Sequence, residues 1–227
     1  MVAGRPNVAA SDPFEYPEEN TMSRFRGPKG KIVRRFGLNL YGNPKFDKLL
    51  SQRPNPPGQH GASHTRKKVS DYGLQLIEKQ KLKYCYGVSE RQFRNYFKHA
   101  LRRPGITGDN LMVLLETRLD NVIFRAGMGS TRDASRQLVL HGHVKVNGRR
   151  VNIASFQMRA GDVITVKNSN KSQDLVRRHF EETTHRETVN WAVAEHDQLK
   201  VTLERIPLRE ELQSIANEQL VVELYSK

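Results

Sequence analysis

Cysteine is nearly absent from this sequence, and long apolar runs are missing altogether. The single cysteine among 227 residues, Cys85, excludes an internal disulfide framework and a cysteine-based zinc site, and it fits a reducing compartment. No apolar run approaches the length that spans a membrane. The first residues lack the apolar stretch of a signal peptide and are too acidic for a typical transit peptide. These absences predict a cytoplasmic protein with no membrane partner.

Motifs for catalysis and for metal binding are also missing. The sequence has no phosphate-binding loop, no dinucleotide fingerprint and no nucleophile elbow. His60, His64, His141 and His143 match no standard zinc spacing, and no cysteines accompany them. Aromatic residues make up only 7% of the chain, which disfavours a platform for stacking single-stranded bases. We therefore predict a protein that is not an enzyme and that holds no metal or other cofactor.

Positive charge, by contrast, is abundant and unevenly placed. The chain has 38 Lys and Arg against 24 Asp and Glu, a net charge of +14, and a pI near 10.1. Residues 22–70 hold twelve bases and one acid, whereas residues 1–21 and 167–227 are net negative. A solvated surface mixes its signs, so this long basic block indicates a polyanionic partner, namely RNA.

The composition divides the N-terminal part into two segments. Residues 1–21, rich in proline and acids, are predicted to be a disordered extension. Residues 22–70 are basic and rich in Pro and Gly, with few periodic apolar positions. We expect this segment to form little core alone and to order against RNA phosphates. Its candidate contacts are Arg34, Arg35, Arg66, Lys67 and Lys68.

Residues 71–108 predict a helical domain. A helix is expected from Asp71 to about Tyr86, ending at Gly87. Ser89 and Gln92 form a capping box that begins the next helix. The apolar face of that second helix consists of Phe93, Tyr96, Phe97, Ala100 and Leu101. Its basic face consists of Arg91, Arg94, Lys98 and Arg102.

Residues 109–166 predict a small RNA-binding module of two helices packed on a short antiparallel sheet. A long apolar helix is expected from Asp109 to about Ala126, and a short one from a Ser130 cap to Leu140. Asn147-Gly148 predicts a hairpin turn, because both positions need positive φ. The expected strands are Val144 with Val146, Val151 with Ile153, and residues 163–166. The fold class is thus α+β, with a mostly helical N-terminal domain.

Residues 167–227 are expected to pack back on the rest of the chain. The pattern predicts a helix from Lys171 to about Trp191 and a final strand from Glu218 to Tyr225. Cys85, within an apolar helical pattern, is expected to be a core residue.

The candidate RNA site lies between residues 130 and 150. Two arginines at i and i+4 share a helix face, the helix begins with free backbone N–H groups, and other bases project from the turn and hairpin. The candidates are Arg132, Arg136, Gln137, His141, His143, Lys145, Arg149 and Arg150. Each one alone could be an ordinary solvated residue, but the cluster indicates a surface that binds folded RNA.

Several short stretches resemble a known family, the bacterial-type small-subunit ribosomal protein S-four. They include Arg26-Gly27-Pro28, Pro56-Pro57-Gly58-Gln59-His60-Gly61, Ser70-Asp71-Tyr72-Gly73, Arg118-Leu119-Asp120-Asn121, Val146-Asn147-Gly148-Arg149 and Val222-Glu223-Leu224-Tyr225-Ser226-Lys227. The resemblance covers about residues 22–227. It implies a primary rRNA-binding protein that nucleates assembly at a multi-helix junction, lies near the mRNA entry path and influences decoding accuracy.

The resemblance also implies partners. These are small-subunit rRNA, neighbouring small-subunit proteins and, in some members, the protein's own mRNA. Some members bind zinc through N-terminal cysteines, which this sequence lacks, so zinc is not expected here. The sequence does not decide between a bacterial and an organellar ribosome, nor whether residues 1–21 are genuine or translation starts at Met22.

Two other functions are compatible with parts of the sequence. The same module occurs on enzymes such as rRNA pseudouridine synthases, in which an Arg-Leu-Asp triplet carries the catalytic Asp. Here Arg118-Leu119-Asp120 is expected in the middle of a helix, with no separate catalytic domain. The remaining alternative is an RNA chaperone or mRNA-binding regulator that never joins a ribosome.

Overall fold

The chain folds into a helical first half and a second half built on one antiparallel sheet. The computed structural model describes residues 25–64, 68–184, 186, 189–212 and 215–226. The arrangement confirms the predicted α+β class. The predicted disordered extension, residues 1–21, lies outside the described residues.

In the described part of the basic N-terminal segment lie α1 (Lys29–Phe36), α2 (Pro44–Gln52) and α3 (Gly61–His64). It also contributes buried side chains from Ile32, Val33 and Leu40. The Phe25 ring lies 5.2 Å from that of Tyr84 in an edge-on contact. The few apolar residues of this segment thus pack against the protein itself, although Ile32, Val33 and Leu40 belong to neither of the two apolar cores. Ordering of the segment against RNA stays a prediction.

The next two helices, α4 (Asp71–Tyr86) and α5 (Glu90–Arg102), are confirmed at their predicted positions. Gly87 ends α4 at φ +62, and the capping box of Ser89 and Gln92 is formed in both directions. The predicted apolar face of α5 is correct except at Leu101, which is 62% exposed. Cys85 is buried in the same core, as expected.

The predicted helix from 109 to 126 is wrong, because two helices occupy this stretch. They are α6 (Thr107–Glu116) and α7 (Leu119–Arg125). Between them Arg118 has an extended backbone conformation and forms an isolated antiparallel bridge with Gln157. Its neighbour Leu119 donates its backbone N–H to the carbonyl of Phe156 at 2.8 Å. These hydrogen bonds to a segment distant in sequence replace the helical hydrogen bonds that the apolar periodicity predicts.

The second half continues with α8 (Arg132–Leu140) and strands β1 (Val144–Val146), β2 (Arg149–Arg150) and β3 (Val163–Val166). Thr131, not the predicted Ser130, caps α8 by accepting a hydrogen bond from the N–H of Ala134. The return strand is shorter than predicted and excludes Val151 and Ile153. Asn147 and Gly148 have φ of 48° and 78°, which confirms the predicted turn.

The C-terminal part holds the largest corrections. It consists of α9 (Asn170–Thr183), β4 (Ala192–Glu195), β5 (Lys200–Leu203), a short 3-10 helix (Arg209–Glu211) and α10 (Glu218–Ser226). The predicted helix thus ends well before Trp191, which is buried. Strands β4 and β5 were not predicted, and they extend the sheet to the order β2-β1-β3-β5-β4. The predicted final strand is a helix, α10, packed on α4 and α6.

One carboxylate, Glu90, joins α4, α5 and α10. It accepts hydrogen bonds from Lys79 Nζ at 2.7 Å, Lys83 Nζ at 3.1 Å and Tyr225 Oη at 3.0 Å. Partial burial would raise the pKa of Glu90, but these hydrogen bonds outweigh it and lower the pKa to about 2. No helix within the described ranges is both long and apolar enough to cross a membrane.

Candidate nucleic-acid interface

A buried carboxylate, Glu116, joins the helical half to the module that follows. Its Oε1 accepts hydrogen bonds from Tyr86 Oη at 2.6 Å and Arg125 Nη2 at 2.7 Å, and its Oε2 accepts from Asn121 Nδ2 at 2.6 Å. Burial would raise the pKa of Glu116, but the charge and hydrogen bonds of Arg125 outweigh it and leave the pKa below its usual range. The ion pair fixes α6 against α7.

A second buried network lies beside it and involves a predicted RNA contact. Arg118 and Asp120 form a two-point ion pair with side chains 1% and 7% exposed, and Arg118 also donates to Tyr96 Oη. Arg136 Nη1 lies 3.4 Å from Asp120 Oδ2, and its side chain is only 6% exposed. The expectation that Arg136 shares an exposed face with Arg132 is therefore wrong, because Asp120 draws it inward.

Arg132 is held by aromatic rings at the start of α8. Its guanidinium carbon lies 4.3 Å from the ring centroid of Phe124 and 5.2 Å from that of Tyr86. Its Nε donates to Asn121 Oδ1 at 3.0 Å, and among the described residues its terminal nitrogens have no hydrogen-bond partner. A guanidinium held in this way can present its terminal N–H groups to a phosphate with little loss of side-chain entropy.

The turn after α8 carries the two predicted histidines. Gly142 adopts φ +67, and the Arg150 guanidinium packs so closely on it that a methyl group there would lie 2.2 Å from Nε. The rings of His141 and His143 are 6.1 Å apart, and His143 Nδ1 lies 2.9 Å from Ser172 Oγ. Partial burial, with the nearby charges of His141 and Lys167, lowers the pKa of His143. The lowered pKa favours the neutral form of the His143 imidazole.

The hairpin supplies the remaining basic residues of the predicted cluster. Lys145 pairs with Arg150 across β1 and β2, and Val146 pairs with Arg149. Arg149 and Arg150 are exposed, Lys145 is half-buried, and the apolar strand neighbours Val144 and Val146 point into the core. The structure thus brings His141, His143, Lys145 and Arg150 close together at the turn and hairpin, with Arg132 and Gln137 on the preceding helix α8. We name this the α8–hairpin surface, which consists of Arg132, Gln137, His141, His143, Lys145, Arg149 and Arg150.

The candidates in the N-terminal segment are more scattered. Arg34 donates to the carbonyls of Asn55 and Pro56 at 3.0 and 3.3 Å, so it holds a neighbouring loop. Arg35 and Lys68 are exposed. Arg66 and Lys67 lie outside the described residues.

Sequence reasoning missed one important basic residue, Arg186. Its guanidinium lies 4.1 Å from the Phe124 ring that also carries Arg132, and it donates only to backbone carbonyls among the described residues. Nothing in the local pattern after α9 indicates this contact. The exposed basic face of α5 is present as predicted, with Arg91, Arg94, Lys98 and Arg102 at the surface.

Metal binding has no geometric support within the described ranges. There, no group of three or more His, Cys, Asp or Glu side chains lies close enough to hold an ion. The chemistry available on the α8–hairpin surface is donation of hydrogen bonds and positive charge to an anionic ligand.

Comparison with known proteins covers nearly the whole chain. Residues 24–116 match the family model described as the ribosomal protein S4/S9 N-terminal domain, and residues 117–164 match the S4 domain. The chain is 52% identical over 207 residues to the small ribosomal subunit protein uS4 of Borrelia hermsii (strain HS1 / DAH), covering 91% of this chain and 99% of that protein. It is 51% identical over 206 residues to the uS4 protein of Akkermansia muciniphila, covering 91% of this chain and all of that protein.

Proposed function

The chain belongs to the small ribosomal subunit protein uS4 family, and on that premise we propose that it is a structural constituent of the small ribosomal subunit that binds rRNA directly. The observation that supports the rRNA contact is the α8–hairpin surface, which is made of basic and amide side chains from helix α8, the turn after it and the hairpin. The proposed location of the protein is the ribosome, in the cytoplasm.

The geometry favours recognition of RNA shape over recognition of base sequence. The basic side chains of the α8–hairpin surface project from a short helix and a hairpin. Both elements are packed on a core that includes Leu138, Val139 and Val144. A rigid set of donors fits phosphates at fixed spacing, as a folded RNA presents them. The net charge of +14 adds a long-range attraction that falls with salt.

We extend the proposal to the finer roles that the family resemblance implies. The protein binds a multi-helix junction early in assembly, contacts neighbouring small-subunit proteins, and contributes to the mRNA entry path and to decoding accuracy. The basic residues 22–70, including Arg35 and Lys68, lie against rRNA in the subunit. Binding to its own mRNA would use the same α8–hairpin surface.

An enzymatic function is disfavoured by the site that would have to carry it. The triplet Arg118-Leu119-Asp120 lies at a helix junction, not in the middle of a helix as the sequence predicts. The Asp120 carboxylate is bound by Arg118 and lies beside Arg136 in the interior. An acid so enclosed cannot reach a nucleotide without breaking two ion pairs.

Binding to small-subunit rRNA, measured against bulk tRNA across a salt titration, tests the proposal. We expect tight binding that survives tRNA competition and a steep fall in affinity with salt. Equal affinity for both RNAs would refute a specific rRNA site. Failure to co-sediment with small subunits at high salt would favour an mRNA-binding regulator instead.

A further inference from the structure

The loop that precedes α8, residues 126–131, is held by the chain that follows the module. Thr183 Oγ1 donates to the carbonyl of Gly127 at 3.0 Å, and the N–H of Ser130 lies 3.4 Å from His179 Nδ1. Both partners come from α9, beyond residues 117–164 that match the S4 domain. The start of α8 is therefore built in part by residues outside the module.

Arg186 makes the strongest of these contacts. Its Nη1 donates to the carbonyls of Phe124 and Gly129 at 2.8 and 3.2 Å, and its Nη2 donates to that of Ser130 at 2.8 Å. A planar guanidinium can reach three carbonyls at once, which a lysine ammonium cannot do with the same fixed geometry. Charge-assisted hydrogen bonds of this kind are roughly twice as strong as neutral ones.

Arg186 and Arg132 contact the same aromatic ring. Both guanidinium groups stack on the ring of Phe124, at 4.1 and 4.3 Å. Burial, together with the charges of Arg132 and Arg125, lowers the pKa of Arg186 to about 10, so it stays charged at neutral pH. Arg186 thus fixes both the Phe124 residue on which Arg132 stacks and the loop that leads into Arg132.

We propose that Arg186 is a positioning residue for RNA binding: it holds Phe124 and the loop carbonyls of Gly129 and Ser130 so that Arg132 presents its guanidinium to the RNA. The inference rests on the proposed function of the α8–hairpin surface. It extends the RNA-recognition apparatus to a residue that lies beyond the S4 domain and acts through Arg132.

A double-mutant cycle tests this role with small-subunit rRNA and bulk tRNA competitor. We expect Arg186→Met to weaken specific binding about tenfold, the loss typical of one misplaced arginine contact. Arg132→Met should weaken it by a similar factor, and the double variant should bind no more weakly than Arg132→Met alone. The control is Arg177→Met, which removes an exposed charge from the neighbouring helix α9 and should leave binding within about twofold.

The outcomes separate positioning from general stability. A general loss of stability would make Arg186→Met weaken binding by the same factor in the wild type and in the Arg132→Met variant. A double variant whose loss of affinity equals the product of the two single losses would therefore overturn the proposal. Unchanged binding in Arg186→Met or in Arg132→Met would overturn it as well. If Arg186→Met does not fold by circular dichroism, Arg186→Lys replaces it, because it keeps the charge and loses the three-carbonyl geometry. Wild-type protein that binds rRNA and tRNA equally would refute the proposed function instead, whatever the variants do.

Discussion

Replacing Glu116 with glutamine tests the buried ion pair that joins the two halves of the chain. The side chain of Glu116 is fully buried, and its two oxygens accept four side-chain hydrogen bonds, two of them from Arg125. Glutamine removes the charge and puts an N–H₂ group where an acceptor stood, facing donors of Arg125 or Asn121. The change leaves the Arg125 charge buried without its partner.

The expected cost follows from that loss. Breaking a buried ion pair on one side destabilises a protein by about 3–5 kcal/mol. For a chain of this size, each kcal/mol lowers the melting temperature by about 2–4 °C, so we expect a fall of roughly 10 °C. Urea unfolding followed by circular dichroism, with a thermal melt, measures both quantities.

The matched control is Asp174→Asn, which breaks the exposed pair between Asp174 and Arg177. Exposed pairs contribute about 1 kcal/mol or less, so this variant should melt close to the wild type. The sign of the pH effect gives a second check. Because the folded-state pKa of Glu116 is lowered, its ionisation stabilises the fold above the unfolded pKa, and that contribution disappears as the pH falls. A Glu116→Gln variant as stable as the Asp174→Asn control at pH 7 would refute the role of the ion pair.

Three further predictions concern single contacts. Gly142→Ala places a methyl group at positive φ and against the Arg150 guanidinium, so it should cost about 1–2 kcal/mol in urea unfolding and weaken rRNA binding in a filter assay; wild-type values in both would contradict the packing described. The pKa of Glu90 is about 2, so the stability it contributes is present above pH 4.5 and lost as the pH falls towards 2; Glu90→Gln should flatten that decline in acid unfolding, and an unchanged pH profile would argue against it. Lys145→Met should reduce the slope of log affinity against log salt by about 1 with little change in melting temperature, and an unchanged slope would exclude a phosphate contact there.

Local signals predicted the elements whose ends are encoded in a few neighbouring residues. The capping box at Ser89 and the turn at Asn147-Gly148 are of this kind, since their hydrogen bonds and φ angles depend on residues close in sequence. The fold class followed from those elements and from the alternation of apolar residues. Distant contacts decided the rest.

The C-terminal helix shows how a distant contact overrides local preference. Its β-branched and aromatic residues, including Val221 and Tyr225, favour a strand when taken alone. In the structure the Tyr225 ring stacks at 4.7 Å on Phe97, and its hydroxyl donates to Glu90. Packing of α10 on α4 supplies the burial that a helix needs, and no sequence neighbour reveals it.

The candidate site was predictable in its exposed part and not in its buried part. Charge clustering identified the bases around Lys145 and Arg149, because surface charge is a property of composition and short spacing. Arg136 was misplaced because its partner Asp120 lies sixteen residues away along the chain. Arg186 was missed because backbone carbonyls, which every residue carries, leave no trace in the sequence.

The most direct test of the account is cleavage of rRNA by a radical-generating probe tethered to the protein inside reconstituted small subunits. The probe is coupled to Gln137→Cys on the α8–hairpin surface or, as control, to Val193→Cys on β4, at the opposite edge of the sheet. Native Cys85 is buried and should not take up the probe. We predict strong, localised rRNA cleavage from position 137 and markedly weaker cleavage from position 193. Cleavage that is absent from position 137, or stronger from 193, would contradict the claim that the α8–hairpin surface faces rRNA.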